Sequence, residues 1–516
     1  VTAIRLAPFA IALVAGLGQA VSIAAPWNGQ PLWWLQLASL AVLAWLAQQA
    51  SSWRRAAFVG WTFAMAWLAG TFWWLFISMH VYGGLAAPLA VLAVLALAGL
   101  LALYYAAACG VFAMVRGTNR LLAALAFAAL WLLAELLRVT WFTGFPWGAG
   151  GYAHVDGPLS FLAPQAGVHG IGFVAALLAF ALSLLPRPGT LRSWRYWAAV
   201  GGVAGLLAAC NMVERPTRGA MDGPLLSVAL LQGNIPQDEK FQGGTGIPLA
   251  LEWYGRQLSE STASLVVAPE TAIPVLPQQL PQGYDDALLA RFAQGRQAAL
   301  IGIPLGGMKE GYTNSVVGLK PGAAQYRYDK HHLVPFGEFI PPLFRWFTEM
   351  MDIPLGDFNR GPLGQPPFEW QGQRLAPNIC YEDLFGEELG VQFADPARAP
   401  TILVNISNIA WFGNTVAIDQ HLQISRMRAL EFERPMIRAT NTGATAIIDH
   451  RGRVTHFLER HTRGVLAGEV EGRTAITSYA WWVSRLGLWP LWLLGLAVVA
   501  IATWSNRTPS PSGGGP

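Results

Sequence analysis

The 516 residues have a charged fraction of 12%, about half that of an ordinary soluble protein, with 23 Trp, 25 Phe and a formal net charge of +4. Residues 1–211 contain no Lys and only two acids, Glu135 and Asp156, which excludes a uniformly soluble chain and divides it into a membrane part and a water-soluble part. The positive charge belongs to the membrane part. The soluble part is mildly acidic, which argues against nucleic-acid binding.

Apolar runs of spanning length occupy 7–26, 32–50, 57–79, 85–115, 120–138, 161–185 and 195–212, with another at 488–504. One such run could be a buried core helix. Eight together, with Trp near many ends, predict a polytopic α-helical membrane domain of about eight transmembrane helices. Arg5, Arg54, Arg55, Arg116, Arg120, Arg187, Arg192 and Arg195 lie near the start or in every second connection. The positive-inside rule puts those loops in the cytoplasm and the soluble part on the periplasmic side of a bacterial inner membrane. The first run is expected to serve as an uncleaved signal anchor. Glu135 within a span costs roughly 2.5–3.5 kcal/mol if central. Arg138, one turn on, is an expected partner; the alternative role for Glu135 is to position a lipid headgroup or the soluble domain.

The expected organisation is a seven-helix transmembrane domain over 1–212, a periplasmic catalytic domain over 223–475, a C-terminal transmembrane helix over 481–504 and a disordered cytoplasmic tail over 505–516. Asn211 to Gly223 reads as the linker. Strands are expected at Leu226–Leu231, Leu265–Ala268, Ala299–Ile303, Ser315–Leu319, Ala376–Cys380, Thr401–Ile406 and Ala444–Ile448. Helices are expected at Asp285–Gln297 and Thr415–Glu433. The alternation predicts an α/β domain of two layers with buried sheets. The stretch Pro341–Phe368 is unusually apolar for a connection and reads as a lid or arm dipping into the membrane interface, with a packed surface helix as the alternative.

Three segments of the soluble part end a short strand in a reactive residue: Val266-Val267-Ala268-Pro269-Glu270, Tyr328-Asp329-Lys330 and Pro377-Asn378-Ile379-Cys380. Strand ends are where α/β domains build sites. Cys380 is the one cysteine outside the long apolar runs, so it has no disulfide partner within its domain. On its own it reads equally as a nucleophile or a buried structural thiol. A carboxylate, an amine and a thiol form an acyl-transfer set. Glu270 takes the thiol proton, and Lys330 favours the thiolate and the oxyanion. The Tyr381 N–H is a second oxyanion donor if a helix starts there, and Glu338 and Glu382 could hold Lys330. Each carboxylate or amine taken singly also reads as a surface salt bridge. The adjacent His331 and His332 lack metal-ligand spacing, so no metal is expected.

These segments resemble the nitrilase superfamily, whose signature is a Glu-Lys-Cys triad on an αββα sandwich. The resemblance is closest to the apolipoprotein N-acyltransferase family. It is carried by Gln232-Gly233-Asn234-Ile235-Pro236, Lys330 through Glu338, Cys380-Tyr381-Glu382, Asn405 through Asn408 with Ala410-Trp411-Phe412-Gly413, Arg438 through Gly443, and in the membrane part by Glu135, Arg138 and Thr143-Gly144-Phe145-Pro146-Trp147. Two positions depart from the family pattern: Ile409 stands where an Asp is usual, and Phe241 where a Trp is usual. Neither belongs to the triad.

The resemblance implies that Cys380 attacks the sn-1 ester of a phospholipid and forms a thioester. The α-amine of a diacylglyceryl-cysteine at an apolipoprotein N-terminus then takes the acyl chain. Glu270 would be the base, Lys330 the electrostatic stabiliser, and Glu338, Tyr381 and Glu382 supporting residues. The expected partners are a phospholipid donor and a diacylated apolipoprotein acceptor, with no cofactor, no nucleic acid and a monomeric chain. A membrane location fits this chemistry, because lifting an acyl chain into water costs about 0.8 kcal/mol per methylene, on the order of 10 kcal/mol for a long chain. The competing readings are a membrane-tethered nitrilase-like amidase that uses water as acceptor, and a transport or scaffold protein with an inactive outer domain.

Overall fold

The structure is a computed structural model that describes residues 2–185, a few positions between 194 and 205, 225–340 and 358–506. The expected span at 195–212 falls almost wholly outside the described residues. So do the linker at 211–223, the 341–357 part of the expected arm, and the tail from 507 on. The chain forms two compact units. One comprises Val1–Trp73, Val91–Arg215 and Leu488–Pro516, and the other comprises Trp74–Ala90 and Pro216–Gly487.

The first unit is helical. Its described elements are α1 (Thr2–Ile23), α2 (Trp33–Gln49), α3 (Trp53–Thr71), α4 (Ala87–Val115), α5 (Arg120–Thr140) and α6 (Ala163–Leu182), joined late in the chain by a helix over Trp489–Ser505 that packs on α5. Among the described residues four helices are long and apolar enough to cross a membrane, or up to six if each of two broken pairs is one span. α4 exposes Leu92, Leu100 and Leu103, and the late helix exposes Leu493, Leu496 and Ile501, as a surface bathed in lipid does. Between helices, packing is close. A Cβ on Gly16 would lie 2.2 Å from the Phe63 carbonyl oxygen, so α1 and α3 approach as near as they do only because Gly16 has none. Trp67 stacks on Trp131 at 5.4 Å and meets Tyr105 edge-on.

Two expectations for this part change. Arg138 does not pair with Glu135. The loop after α5 folds back so that the guanidinium donates to the loop carbonyls of Phe145 (2.9 Å) and Trp147 (2.7 Å), which burial would otherwise leave without a donor. Glu135 instead accepts from the Gly150 N–H at 3.0 Å, and His169 lies 3.5 Å from its other oxygen. The run at 57–79 is not one helix. α3 stops at Thr71, and Leu75–Ile77 and the turn Ser78–Tyr82 belong to the second unit, where Trp74 is fully buried. Apolar composition is the same whether a segment is covered by lipid or by protein, so hydropathy alone joined the two pieces.

The second unit has two six-stranded sheets. The first runs β12-β1-β2-β3-β4-β5 and the second β11-β10-β9-β8-β7-β6. The strands are β1 (Leu226–Gln232), β2 (Leu265–Val267), β3 (Ala298–Gly307), β4 (Gly311–Leu319), β5 (Tyr326–Asp329), β6 (Phe368–Trp370), β7 (Gln373–Ile379), β8 (Ile402–Ser407), β9 (Met436–Thr440), β10 (Ala446–Ile448), β11 (Val454–Phe457) and β12 (Gly464–Val470). Each sheet has three adjacent parallel strands, β1-β2-β3 and β7-β8-β9, with antiparallel strands outside them.

Alternation along the strands explains the layers. Val228, Leu230, Val267 and Leu300 from the first sheet meet Leu375, Ile402, Val404 and Ile437 from the second in one buried core. The intervening Ala229, Leu231, Val266 and Ile301 face outward onto α7 (Gly246–Glu260) and α8 (Tyr284–Ala293) through Leu251, Leu258 and Phe292. On the other side Leu403, Met436 and Ile448 face α9 (Val416–Phe432) and α10 (Ser478–Leu486) through Ala429, Phe432 and Val483. Strands buried on both faces read as continuous apolar runs, which is why periodicity alone predicted two layers. The observed order is helix, sheet, sheet, helix: the αββα sandwich that the family resemblance implies.

Candidate active site

Three loops, two from the first sheet after β2 and β5 and one from the second after β7, carry the reactive residues. Glu270 follows β2 after Ala268-Pro269. Gly302 on β3 makes room for that turn, since a Cβ there would sit 2.2 Å from the Pro269 carbonyl oxygen and 2.8 Å from the Glu270 Cα. Lys330 follows β5 directly, and Cys380 follows β7 directly. Cys380 adopts φ +53°, in the left-handed region that costs a non-glycine residue strain, and a tight turn over Cys380–Leu384 begins there. The half-buried thiol is therefore raised on a sharp corner, with the Tyr381 N–H in the first turn.

The charged groups interlock. Lys330 Nζ lies 2.9 Å from both oxygens of Glu338 and 3.4 Å from Glu270 Oε1. Asn314 on β4 donates its amide to Glu270 Oε1 (2.7 Å) and Glu338 Oε1 (2.8 Å), tying the two carboxylates together. The other Glu270 oxygen accepts from the Asn408 N–H at 2.8 Å. Glu338 Oε2 also accepts from the Val334 N–H at 2.8 Å.

Glu382 does not contact Lys330 as expected. It accepts from the N–H groups of Ile379 (2.6 Å), His331 (2.7 Å) and His332 (3.2 Å) and from the Tyr328 hydroxyl (2.9 Å). It thus stitches the loop after Lys330 to the turn that carries Cys380. His331 and His332 diverge: the first ring meets the Gly361 carbonyl, and the second meets Glu388 at 2.9 Å and stacks on Phe385. Tyr381 is buried against His332 and Phe385.

The electrostatics follow from burial and these contacts. Burial alone would lift Glu270, but Lys330, the Asn314 amide, Lys240 and the Asn408 N–H outweigh it and hold the carboxyl below its ordinary range. Burial would depress Lys330, yet Glu338 and Glu270 together raise it. Burial, with Glu270 adding to it, pushes the Cys380 thiol up to about 12 against the pull of Lys330. Burial raises Glu382 to about 7. With Glu270 held low, Lys330 held high and the thiol pushed up, loss of the thiol proton calls for a base beside it.

Sequence reasoning missed three parts of this centre. Asn314 sits in the polar run Thr313-Asn314-Ser315 at the start of β4, all three buried, and nothing in its spacing marks it. Lys240 is buried, donates to the Glu270 backbone carbonyl at 3.1 Å, and is pushed down to about 7 by burial. The third is a fully buried network behind the thiol. His421 Nε2 lies 2.9 Å from Asp383 Oδ1 and 3.2 Å from the Cys380 carbonyl oxygen, Ser425 donates to Asp383 Oδ2 at 2.5 Å, and Arg438 donates to His421 Nδ1 at 3.1 Å. Arginine can only donate, so Nδ1 is the acceptor and Nε2 carries the proton.

Of the departing positions, Ile409 is fully buried in the turn that follows Asn408. Phe241 lies with its ring centre 6.0 Å from Lys240 Nζ.

The family model described as "Carbon-nitrogen hydrolase" matches residues 227–478, so this sandwich is a carbon–nitrogen hydrolase domain. Residues 16–181 match the model described as "Apolipoprotein N-acyltransferase N-terminal domain". The proteins named apolipoprotein N-acyltransferase of Verminephrobacter eiseniae, Ralstonia nicotianae and Nitrosomonas europaea are 64%, 46% and 39% identical to this chain. Each alignment covers 92% of this chain, and 92%, 90% and 94% of those proteins respectively. The chain belongs to the apolipoprotein N-acyltransferase family.

Proposed function

We propose that this membrane protein transfers an acyl chain from a phospholipid, through a thioester on Cys380, to the α-amine of the diacylglyceryl-cysteine that begins an apolipoprotein. The observation that carries the reading is the buried Glu270–Lys330–Glu338 cluster at 3.4 and 2.9 Å, beside a thiol raised on a strained strand end. The match of residues 16–181 to an acyltransferase N-terminal domain favours an amine acceptor over water.

In the first half-reaction Glu270 takes the thiol proton as sulfur attacks the sn-1 ester carbonyl. The C–S bond forms and the carbonyl pair becomes an oxyanion, stabilised by the Lys330 charge and the Tyr381 N–H. The oxyanion collapses, the C–O bond breaks, and Glu270 returns the proton to the leaving lysophospholipid alkoxide. In the second half the acceptor amine attacks the thioester and loses a proton to Glu270. The C–S bond breaks and the thiolate regains that proton. This is ping-pong catalysis with one covalent intermediate. Glu338 holds Lys330 by its two oxygens, and Glu382 holds the Cys380 turn against the Lys330 loop. The catalytic unit works at the periplasmic face of the inner membrane, needs no cofactor, and acts as a monomer on a phospholipid and a lipidated apolipoprotein.

Intact-protein mass spectrometry after incubation with phospholipid vesicles tests the reading. The wild type gains the mass of one acyl chain and releases it when a diacylated lipopeptide is added; Cys380→Ala gains nothing. An unmodified wild type under turnover conditions would overturn covalent catalysis. Release of the chain to water at the same rate without lipopeptide would make the enzyme an esterase or amidase instead.

A further inference from the structure

The segment Trp74–Ala90 follows α3 in the sequence yet belongs to the catalytic unit. Its contacts there are specific. The Trp74 indole N–H donates to Gln420 Oε1 at 3.1 Å, and both side chains are buried, each about 1% exposed. The Trp74 ring lies 4.2 Å from that of Phe412, centre to centre. Ile77 covers Gly413, where a Cβ would meet its methyls at 3.4 and 3.6 Å. Tyr82 meets Trp411 edge-on at 5.8 Å.

Those partners are the neighbours of two groups that hold the reactive residues. Phe412 ends the turn Ile409–Phe412, and the residue before that turn is Asn408, whose N–H binds Glu270 Oε2 at 2.8 Å. Gln420 precedes His421, whose Nε2 lies 3.2 Å from the Cys380 carbonyl oxygen. One tryptophan therefore touches both structures, one residue or one turn away from the base and from the nucleophile. Tryptophan can fill such a cleft and also supply a hydrogen-bond donor, which Phe, Leu and Met cannot.

We propose that Trp74 is a positioning residue for acyl transfer, fixing the 408–413 turn and the start of α9 so that Glu270 and Cys380 are aligned. This rests on the acyl-enzyme reading above. A shift of about 1 Å in such an alignment costs on the order of a hundredfold in rate, whereas substrate binding is little altered.

The test is a double-mutant cycle on the full-length detergent-solubilised enzyme, using Trp74→Phe and Gln420→Met, with phosphatidylethanolamine as donor. Trp74→Phe keeps an aromatic ring and loses the donor; Gln420→Met keeps the volume and loses the acceptor. The readouts are the first-order rate of acyl-enzyme formation, the KM for phospholipid, and the pH at which iodoacetamide alkylates Cys380 at half its maximal rate. Each single variant is expected to slow acylation about tenfold, to keep KM within about twofold, and to move the alkylation midpoint, with the double variant no slower than the slower single. Wild-type rates in the singles, additive losses in the double, or a change confined to KM would each overturn the proposal. If Trp74→Phe does not fold, Gln420→Met alone decides by the same readouts. A wild type that forms no adduct would instead sink the acyl-enzyme reading, so the two failures are distinguishable.

Discussion

Both carboxylate oxygens of Glu338 lie 2.9 Å from the Lys330 ammonium, nearer than the 3.4 Å to Glu270. In the proposed mechanism the cation is thus anchored by a residue that need not react, which would leave Glu270 free to exchange a proton. A buried ammonium facing two carboxylates stays charged through the reaction, and a fixed charge is what oxyanion stabilisation requires.

Replacing Glu338 by Gln keeps the shape and removes the charge. The acylation rate is expected to fall by about a hundredfold, the scale of losing one well-placed electrostatic contact. A time course of adduct mass with vesicle substrate checks it; an E338Q rate within a factor of two of wild type would contradict this anchoring role.

Lys240 supplies a pH signature. Burial pushes it down to about 7, so below that pH it is an ammonium beside Glu270 and Cys380, and above it an amine. A positive charge near the thiol favours the thiolate. Lys240→Met should therefore slow Cys380 alkylation by iodoacetamide at pH 6, and the gap to wild type should close as pH rises through 8. A gap that is constant or widens across that range would show that the Lys240 charge does not reach the thiol.

Asp383→Asn should destabilise the catalytic unit strongly. Asp383 faces His421, Ser425 and the Arg438 guanidinium, all fully buried, with Arg438 at 3.6 Å. Removing one partner leaves a buried cation uncompensated, at a cost of about 3 kcal/mol. Chemical unfolding followed by Trp fluorescence measures it. A change below 1 kcal/mol would mean that water or another group compensates Arg438.

The strand end before Glu270 was readable because it closes the β-branched, apolar run Val266-Val267-Ala268. The family resemblance then supplied the sandwich. What escaped did so for physical reasons. β9 was hidden by Arg438, since a buried guanidinium in a central strand contradicts its pattern until Asp383 is seen beside it. β12 alternates between half-buried and exposed residues and includes Gly464, Gly468 and Glu469, so it reads as a loop until β1 pairs with it. Asn314 and Lys240 act through three-dimensional neighbours with no fixed spacing in the chain. Trp74–Met79 looked like the end of a span because protein and lipid bury the same side chains.

The sandwich also controls when the thiol becomes dangerous. Glu270 and Lys330 leave the first sheet and Cys380 leaves the second, while the Asn408 N–H reaches from the second sheet to Glu270. The first sheet is itself completed by β12, which pairs with β1 along its whole length, Leu226 with Val470 through Gln232 with Gly464. A chain emerging during synthesis therefore exposes Cys380 well before the final strand exists to complete the sheet that presents its base and cation. On the proposed mechanism, a partly made chain would therefore hold its thiol without the finished sheet that carries base and cation, and competence would arrive only with the last strand.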